Sequence, residues 1–208
     1  MKVIMHNSIS LDGSYTGFEV DMGLHYQIAA WFNPDIHIMG SATAKSGATM
    51  GGSVPDEEPS DFIKHKKNGP LWVIIDSKGI TKGLLHVFRR SPYCGDLMVL
   101  VSKKTPKSFL DYLDKRHYDH MSIGDRKVDL RKAFAELEKR YSANTALVDS
   151  GAGLASALFE AKLVDELSLI VCPEAVGGDR FFENLPPLEL VKAKKYGDFA
   201  WLLYRIIK

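Results

Sequence analysis

Small groups of polar and small residues follow the apolar runs of this sequence, and chemistry is expected at these groups. The apolar runs carry almost no polar residue, which is typical of strands buried on both faces of a parallel sheet. They lie at 71–75, 97–101, 145–148 and 167–171. In such sheets ligands bind beyond the carboxyl ends of the strands. Four candidate groups occupy predicted strand ends, at 10–13, 39–43, 76–78 and 149–153.

The group at 149–153 has the strongest physical case for binding an anion. Its small residues let the backbone approach a ligand closely, and the amide groups that open the following helix favour negative charge. The same residues would also suit a tight turn that only lets helix and strand pack, and taken alone they favour this second interpretation slightly. The dinucleotide fingerprint GxGxxG is absent from the sequence at this position, as is an acidic ribose partner at the expected distance.

Metal and nucleophile chemistry have weaker support. The seven histidines show no HExxH or similar ligand spacing. Ser150 does not lie in a GxSxG elbow, so a hydrolase nucleophile lacks its context. Cys94 and Cys172 form no paired-cysteine motif, which argues against a zinc ribbon or a disulfide framework. We therefore expect no metal, and the catalytic residues stay unknown.

The elements that must position these groups alternate between strand and helix along the chain. Helical periodicity follows Asp21 and Asp129, each of which is a candidate N-cap. The alternation predicts an α/β fold with a mostly parallel sheet and flanking crossover helices. Two closing strands, joined at 196–198, predict an antiparallel addition to that sheet. Further helices are predicted at about 106–116 and 153–162, and the closing strands near 188–195 and 199–207.

A long stretch at 44–70, rich in Gly, Ser, Pro and acidic residues, exceeds ordinary connection lengths. Two interpretations stay open: a lid or mobile insertion, or a surface loop with a short helix near 61–67. The length of 208 residues suits a single domain spanning 1–208.

Charge and hydropathy limit the classes of partner. The 27 basic residues nearly balance the 26 acidic ones, giving a net charge of +1 and no bulk electrostatic case for nucleic acid or an anionic membrane. The N-terminus is not typical of a signal peptide, and no segment approaches the roughly 20 apolar residues of a membrane span. We expect a soluble, cytoplasmic protein.

Taken together and in order, the strand-end groups resemble the reductases of riboflavin biosynthesis. This domain also forms the C-terminal half of a bifunctional deaminase-reductase and has a dihydrofolate-reductase-like, three-layer fold. The matching pieces span nearly the whole chain. They are SLDG at 10–13, the MG and Thr of 39–43, IIDSK at 74–78, the block at 148–178 and WLLYRI at 201–206.

The resemblance implies a homodimeric, NADPH-dependent enzyme that reduces the ribosylamino-pyrimidinone 5′-phosphate intermediate to its ribitylamino form by hydride transfer to the sugar C1. Asp149 occupies the position of a substrate-binding carboxylate, and Asp12 either binds substrate or serves the strand end structurally. Local sequence offers a second interpretation for Asp149, as the N-cap of the next helix. The positions that would face the cofactor are Ser8, Gly40, Thr43, Ser77, Gly151, Ala152, Gly153 and Leu154.

Cationic residues just past two apolar strands are candidates for the adenosine 2′-phosphate of the cofactor. They are Lys78 and the Ser102–Lys103–Lys104 cluster, and a charge-assisted contact from either would favour NADPH over NADH. The alternative is that these lysines are solvated on exposed turns, and for Lys104 this alternative is favoured.

The chain departs from the family pattern mainly on the substrate side. An acidic pair, a Pro and a basic residue that usually follow the Thr are replaced by AKSGAT at 44–49, Trp31 replaces an Arg, and Ser150 replaces a Gly. The deaminase signatures PCxxC and HxE are absent. Two alternatives stay open. One is a dihydrofolate or pterin-type reductase, although the helix at 23–32 lacks the acid it would need; the other is a non-catalytic nucleotide-binding protein.

Overall fold

The computed structural model describes residues 1–63, 68–182 and 185–207. It divides into two compact units, which we call unit 1 (Met1–Pro34 and Asn144–Lys208) and unit 2 (Asp35–Ala143). The prediction of a single domain over 1–208 stays a prediction. In chain order the elements are β1 (Lys2–Ser10), α1 (Met22–Trp31), β2 (Ile36–Gly40), α2 (Ser41–Thr49), a 3₁₀ turn (Pro59–Phe62), β3 (Leu71–Ile75), α3 (Leu85–Arg90), β4 (Asp96–Val101), α4 (Lys107–Lys115), β5 (Asp119–Ser122), α5 (Leu130–Tyr141), β6 (Thr145–Val148), α6 (Ala152–Glu160), β7 (Glu166–Cys172), β8 (Leu188–Tyr196) and β9 (Phe199–Ile206).

Unit 1 contains a mixed sheet in the order β6-β1-β7-β9-β8. Strand β1 is parallel to both β6 and β7, with Met5 opposite Val148 on one side and Leu167 on the other. Strand β9 is antiparallel to β7 and β8, and Gly197 turns the closing hairpin with φ of 58°. The predicted antiparallel C-terminal pair is confirmed.

Unit 2 contains four parallel strands in the order β5-β4-β3-β2. The apolar runs of β3 and β4 are buried almost completely, as expected for strands covered on both faces. The predicted α/β class with a mostly parallel sheet is therefore confirmed.

The two helices with predicted acidic caps begin where the sequence indicated. The Asp21 carboxylate accepts from the Leu24 amide at 2.9 Å, and Asp129 accepts from the Lys132 amide at 3.1 Å. The backbone amides of their first turns thus gain side-chain partners. Of the helices in the described ranges, none has the length and apolar character of a membrane span.

The stretch predicted as a long loop begins as helix α2. This helix buries only two small residues, Ala44 and Ala48, so it lacks the stripe of large apolar residues that reveals a helix in sequence. The short helix α3 was likewise not predicted. Of the predicted helix near 61–67, the structure has the 3₁₀ turn at Pro59–Phe62, and residues 64–67 lie outside the described residues.

Two carboxylates attach the middle of this stretch to the rest of unit 2. Glu57 accepts from the Tyr112 hydroxyl and from Arg116 Nε, each at 2.7 Å. The carboxylate of Asp61 accepts from Arg90 Nε at 2.7 Å and also from a backbone amide of its own turn. Neither sequence interpretation of the stretch includes this clamp, and a lid function stays a prediction.

Candidate active site

The carboxyl-terminal half of β1 carries a buried polar network. His6 is fully buried; its Nε2 lies 3.1 Å from the carbonyl oxygen of His25 and its Nδ1 lies 2.9 Å from Ser168 Oγ. A carbonyl only accepts, so Nε2 carries the proton and donates it. Because the Trp201 indole donates to Ser168 Oγ at 2.9 Å, the Ser168 hydroxyl is free to donate to Nδ1. These contacts hold the His6 ring in place between β7 and α1.

His25 joins two of the predicted site residues. Its Nδ1 lies 3.2 Å from Ser8 Oγ and its Nε2 lies 3.2 Å from Asp149 Oδ2. The imidazole is 4% exposed, whereas the Asp149 side chain is 18% exposed and Ser8 is half-buried. Helix α1 turns His25 inward because Leu24, His25, Ile28 and Ala29 form its buried face.

Asp149 directly follows β6, and its local environment decides between its two interpretations. The N-cap of α6 is Gly151, so the interpretation of Asp149 as that N-cap is wrong. The chain between them is held to β1 instead, since Asn7 Nδ2 donates to the Ser150 carbonyl at 3.0 Å. The Asp149 carboxylate contacts His25.

The start of α6 has the features expected of an anion site. Gly151 has no side chain with which to cap the first turn, and its φ of −69° and ψ of 173° are those of extended backbone, as is usual at an N-cap. Ala152 and Gly153 line a pocket of about 710 Å³. Phe159 and Phe181 give that pocket apolar walls, and Lys162, Arg180 and Glu160 give it charge.

Asp12 has backbone partners after β7. Its carboxylate accepts from Gly177 N at 2.7 Å, from Val176 N at 3.3 Å and from the Ser10 hydroxyl. The hydrogen bond from Ser10, followed by that from Gly177, lowers the pKa of Asp12. These contacts support the structural interpretation, and a substrate contact stays a prediction.

Unit 2 holds the remaining predicted cofactor residues. Gly40 ends β2 and is the N-cap of α2, whose first turn includes Thr43. Ser77 Oγ accepts from the Val128 amide at 3.2 Å, and the Ser77 carbonyl accepts from Thr105 Oγ1 at 3.1 Å. Lys78 is exposed.

Asp76 shapes the loop that carries Ser77 and Lys78. Its fully buried carboxylate accepts from the amides of Gly79 at 2.8 Å and Thr81 at 2.9 Å, and from the Thr81 hydroxyl at 2.7 Å. Gly79 has φ of 73°, and a Cβ there would lie 2.8 Å from Phe109, so the turn requires glycine. The sequence placed Asp76 in a candidate group without giving it this role.

The structure thus brings Ser8 and Asp149 together through His25, a residue that sequence reasoning missed together with Asn7. No local spacing could reveal the contact, because His25 and Asp149 are 124 positions apart. Across the described parts of the chain, no group of three or more His, Cys, Asp or Glu residues could hold a metal ion.

Comparisons with known proteins agree with this architecture. Residues 1–200 match the family model of the RibD C-terminal domain. No curated protein matches the chain. A solved pyrimidine reductase-like protein from Corynebacterium diphtheriae has a TM-score of 0.73 at 16% identity, with 100% of this chain and 92% of that chain covered. The riboflavin biosynthesis reductase Rib7 of Saccharomyces cerevisiae has a TM-score of 0.70 at 16% identity, with 99% and 90% covered.

A third solved structure is the bifunctional deaminase and 5-amino-6-(5-phosphoribosylamino)uracil reductase of Thermotoga maritima. It has a TM-score of 0.67 at 17% identity, and the match covers 99% of this chain but 56% of that chain. These similarities show the dihydrofolate-reductase-like fold that the sequence predicted.

Proposed function

Since the chain belongs to the RibD C-terminal domain family, we propose that it is an NADPH-dependent reductase of riboflavin biosynthesis. Its substrate in this proposal is the ribosylamino-pyrimidinone 5′-phosphate, which becomes the ribitylamino compound. The family and the reductases of similar fold support a reductase of this pathway. The choice of NADPH and of the reaction step is our proposal.

The observation that carries the proposal is the contact of Ser8 and Asp149 with one imidazole. Ser8 is a proposed cofactor residue and Asp149 a proposed substrate residue, and each lies 3.2 Å from a nitrogen of His25. A hydride transfer requires cofactor and substrate to meet within contact distance. Two residues assigned to the two ligands should therefore be neighbours, as these are.

The start of α6 fits the pyrophosphate of a dinucleotide. The backbone amides of Ala152, Gly153 and Leu154 open a helix whose N-cap, Gly151, has no side chain to satisfy them. When bound, NADPH would supply the hydride. This chain would contribute binding at α6, orientation of the substrate at Asp149 and exclusion of water.

The proposal includes three further properties implied by the family resemblance and the composition. The partner is a small phosphorylated pyrimidine, which agrees with a net charge of +1 that offers no bulk attraction for nucleic acid or an anionic membrane. The enzyme works as a homodimer. It works in the cytoplasm.

Turnover assays test the proposal directly. NADPH oxidation is followed with the pyrimidine intermediate, with dihydrofolate and with no second substrate. We expect oxidation only with the pyrimidine intermediate. Oxidation with dihydrofolate alone would assign a pterin-type reductase, and NADPH binding without any turnover would assign a non-catalytic protein.

A further inference from the structure

We propose that His25 is a positioning residue that controls delivery of a proton from Ser8 to the sugar ring oxygen of the substrate. This inference rests on the proposed function and assigns the proton donor that the sequence left unknown. It is carried by the contacts of one buried imidazole with Ser8 and Asp149.

The proposed reaction consumes one proton as well as one hydride. The sugar ring opens when the bond between C1 and the ring oxygen breaks, and that oxygen takes a proton to become a hydroxyl. The attached nitrogen supplies its lone pair to C1, which becomes an iminium carbon. The hydride then adds to C1 and the electron pair of the C=N bond returns to nitrogen, so the ring-opened product is a neutral amine. The active site must therefore supply an acid to the ring oxygen.

Ser8, Asp149 and His25 differ in their exposure to solvent, and this difference shows which of them can reach a ligand. Ser8 is half-buried and the Asp149 side chain is 18% exposed, so both can reach a ligand. The His25 side chain is 4% exposed and lies behind them. Because His25 would act on a ligand through these two neighbours, we describe it as a positioning residue.

The donors and acceptors around His25 link the charge of its imidazole to the direction in which the Ser8 hydroxyl points. As a carboxylate, Asp149 only accepts, so it holds a proton on Nε2. In the neutral imidazole Nδ1 is then an acceptor, and Ser8 must donate its proton to His25. When the imidazole carries both protons, Nδ1 donates to Ser8 Oγ, and the Ser8 proton points away from His25.

Proton transfer follows from this arrangement with all charges balanced. Ser8 passes its hydroxyl proton to the ring oxygen while it takes the Nδ1 proton of His25. His25 finishes neutral and still paired with Asp149. Solvent restores its proton before the next turnover.

The titratable groups that face His25 are known from its contacts. Asp149 contacts Nε2, the His6 ring lies 4.4 Å from the His25 ring, and Tyr26 packs edge-on at 5.4 Å. Asp21 caps the start of the same helix.

The test compares His25→Gln and Ser8→Ala with the parent enzyme. We expect the parent kcat to fall as the pH rises, because the relay requires an imidazole that carries both of its protons. Both variants should lose roughly a hundredfold in kcat at neutral pH, a typical contribution of acid catalysis, and should lose that pH dependence. KM for the pyrimidine intermediate should change little, as should the affinity of His25→Gln for NADPH.

Two controls separate the relay from other effects. His120→Gln removes a partly exposed histidine of unit 2 and should leave both kcat and the pH profile unchanged. His6→Gln removes the neighbouring imidazole and should retain the pH dependence of the parent. If His25→Gln fails to fold, the kcat of Ser8→Ala and its pH dependence test the relay on their own, because this variant leaves the buried imidazole in place.

The outcomes distinguish the two proposals. An active parent whose variants keep kcat and its pH dependence would overturn the relay and leave the proposed function standing. A loss of kcat matched by an equal loss of thermal stability, with the pH profile unchanged, would also overturn it. A parent that does not reduce the intermediate would overturn both.

Discussion

Asp149 is the residue whose substitution separates binding chemistry from helix stability. It ends a buried strand beside a helix start, a position at which Asp is commonly a cap. The structure gives the cap to Gly151 and pairs Asp149 with His25 at 3.2 Å instead. Its charge therefore acts on an imidazole and, in our proposal, on the substrate.

We expect Asp149→Asn to keep its melting temperature and NADPH affinity and to lose most of its kcat/KM. The amide preserves volume and its Oδ1 can still accept from His25 Nε2, but the negative charge is removed, and a lost charge-assisted contact costs roughly 1.5 to 3 kcal/mol, about tenfold to a hundredfold in rate. Thermal melts, cofactor titration and steady-state kinetics measure the three quantities.

Asp129→Ala is the control for loss of a cap, because Asp129 does cap its helix. It should lose about 0.5 to 2 kcal/mol of stability with normal kinetics. An Asp149→Asn enzyme that behaves like this control would contradict the assigned role.

Gly151→Val tests the anion site at α6. Its φ of −69° and ψ of 173° are open to valine, so the fold should persist, while the side chain crowds the helix amides. We expect NADPH affinity to fall on the order of tenfold. Gly51→Val, on a turn where a Cβ meets no atom within 4 Å, should bind NADPH like the parent. Equal affinity in both variants would mean that the site is elsewhere.

Among the elements, those with local signals could be predicted and those defined by distant contacts could not. Asp21 and Asp129 each stand at an N-cap position before an apolar stripe, and this pattern predicts a helix. The apolar runs predict buried strands. Helix α2 buries only alanines, so no stripe marks it. The clamp at 57–61 depends on partners about 29 to 59 positions away, which no window of sequence contains.

Because the clamp includes the Asp61 carboxylate, we expect the stability of the protein to depend on pH. Hydrogen bonds from Arg90 lower the pKa of Asp61 from 3.8 to about 2. A folded-state pKa below the unfolded one adds stability above pH 3.8, and this stability is lost as the pH falls through 3.8 to about 2. We expect Asp61→Asn to cost roughly 2 kcal/mol in the free energy of unfolding at neutral pH.

Denaturant unfolding at neutral pH and below pH 3.8 checks this expectation. The difference between Asp61→Asn and the parent should narrow in acid. Asp56→Asn, in the same segment, is the control and should match the parent at both pH values. A difference that stays constant with pH would show that the Asp61 charge contributes nothing.

The loops after β3 and β4 carry the lysines that we expect to favour NADPH over NADH. Thr105 Oγ1 donates to the Ser77 carbonyl at 3.1 Å, so the loop of Lys78 and the loop of Lys103 are hydrogen-bonded to each other. We expect the double substitution Lys78→Ala and Lys103→Ala to reduce the preference for NADPH over NADH by roughly tenfold or more. Competitive binding measures it, with exposed Lys115→Ala as the control. A parent that binds both cofactors equally would refute the role of these lysines.

The fold of the whole molecule could be predicted from its resemblance to a known family, whereas the contacts of His25 could not. The order of the strand-end groups identified the fold and most candidate positions. It could not supply His25, because nothing in GLHYQIAAWF indicates a partner that lies beyond α5 in the chain. The strand order of unit 1 places β1 between β6 and β7, and this brings the residues together.

Transfer of deuterium from NADPH that carries deuterium at both C4 positions reports directly on the proposed hydride step. The pyrimidine intermediate is incubated with the enzyme and the labelled cofactor, and the product is analysed by mass spectrometry and NMR. We expect a ribitylamino product with one deuterium at the former sugar C1. An unchanged substrate, or deuterium at any other carbon, would contradict it.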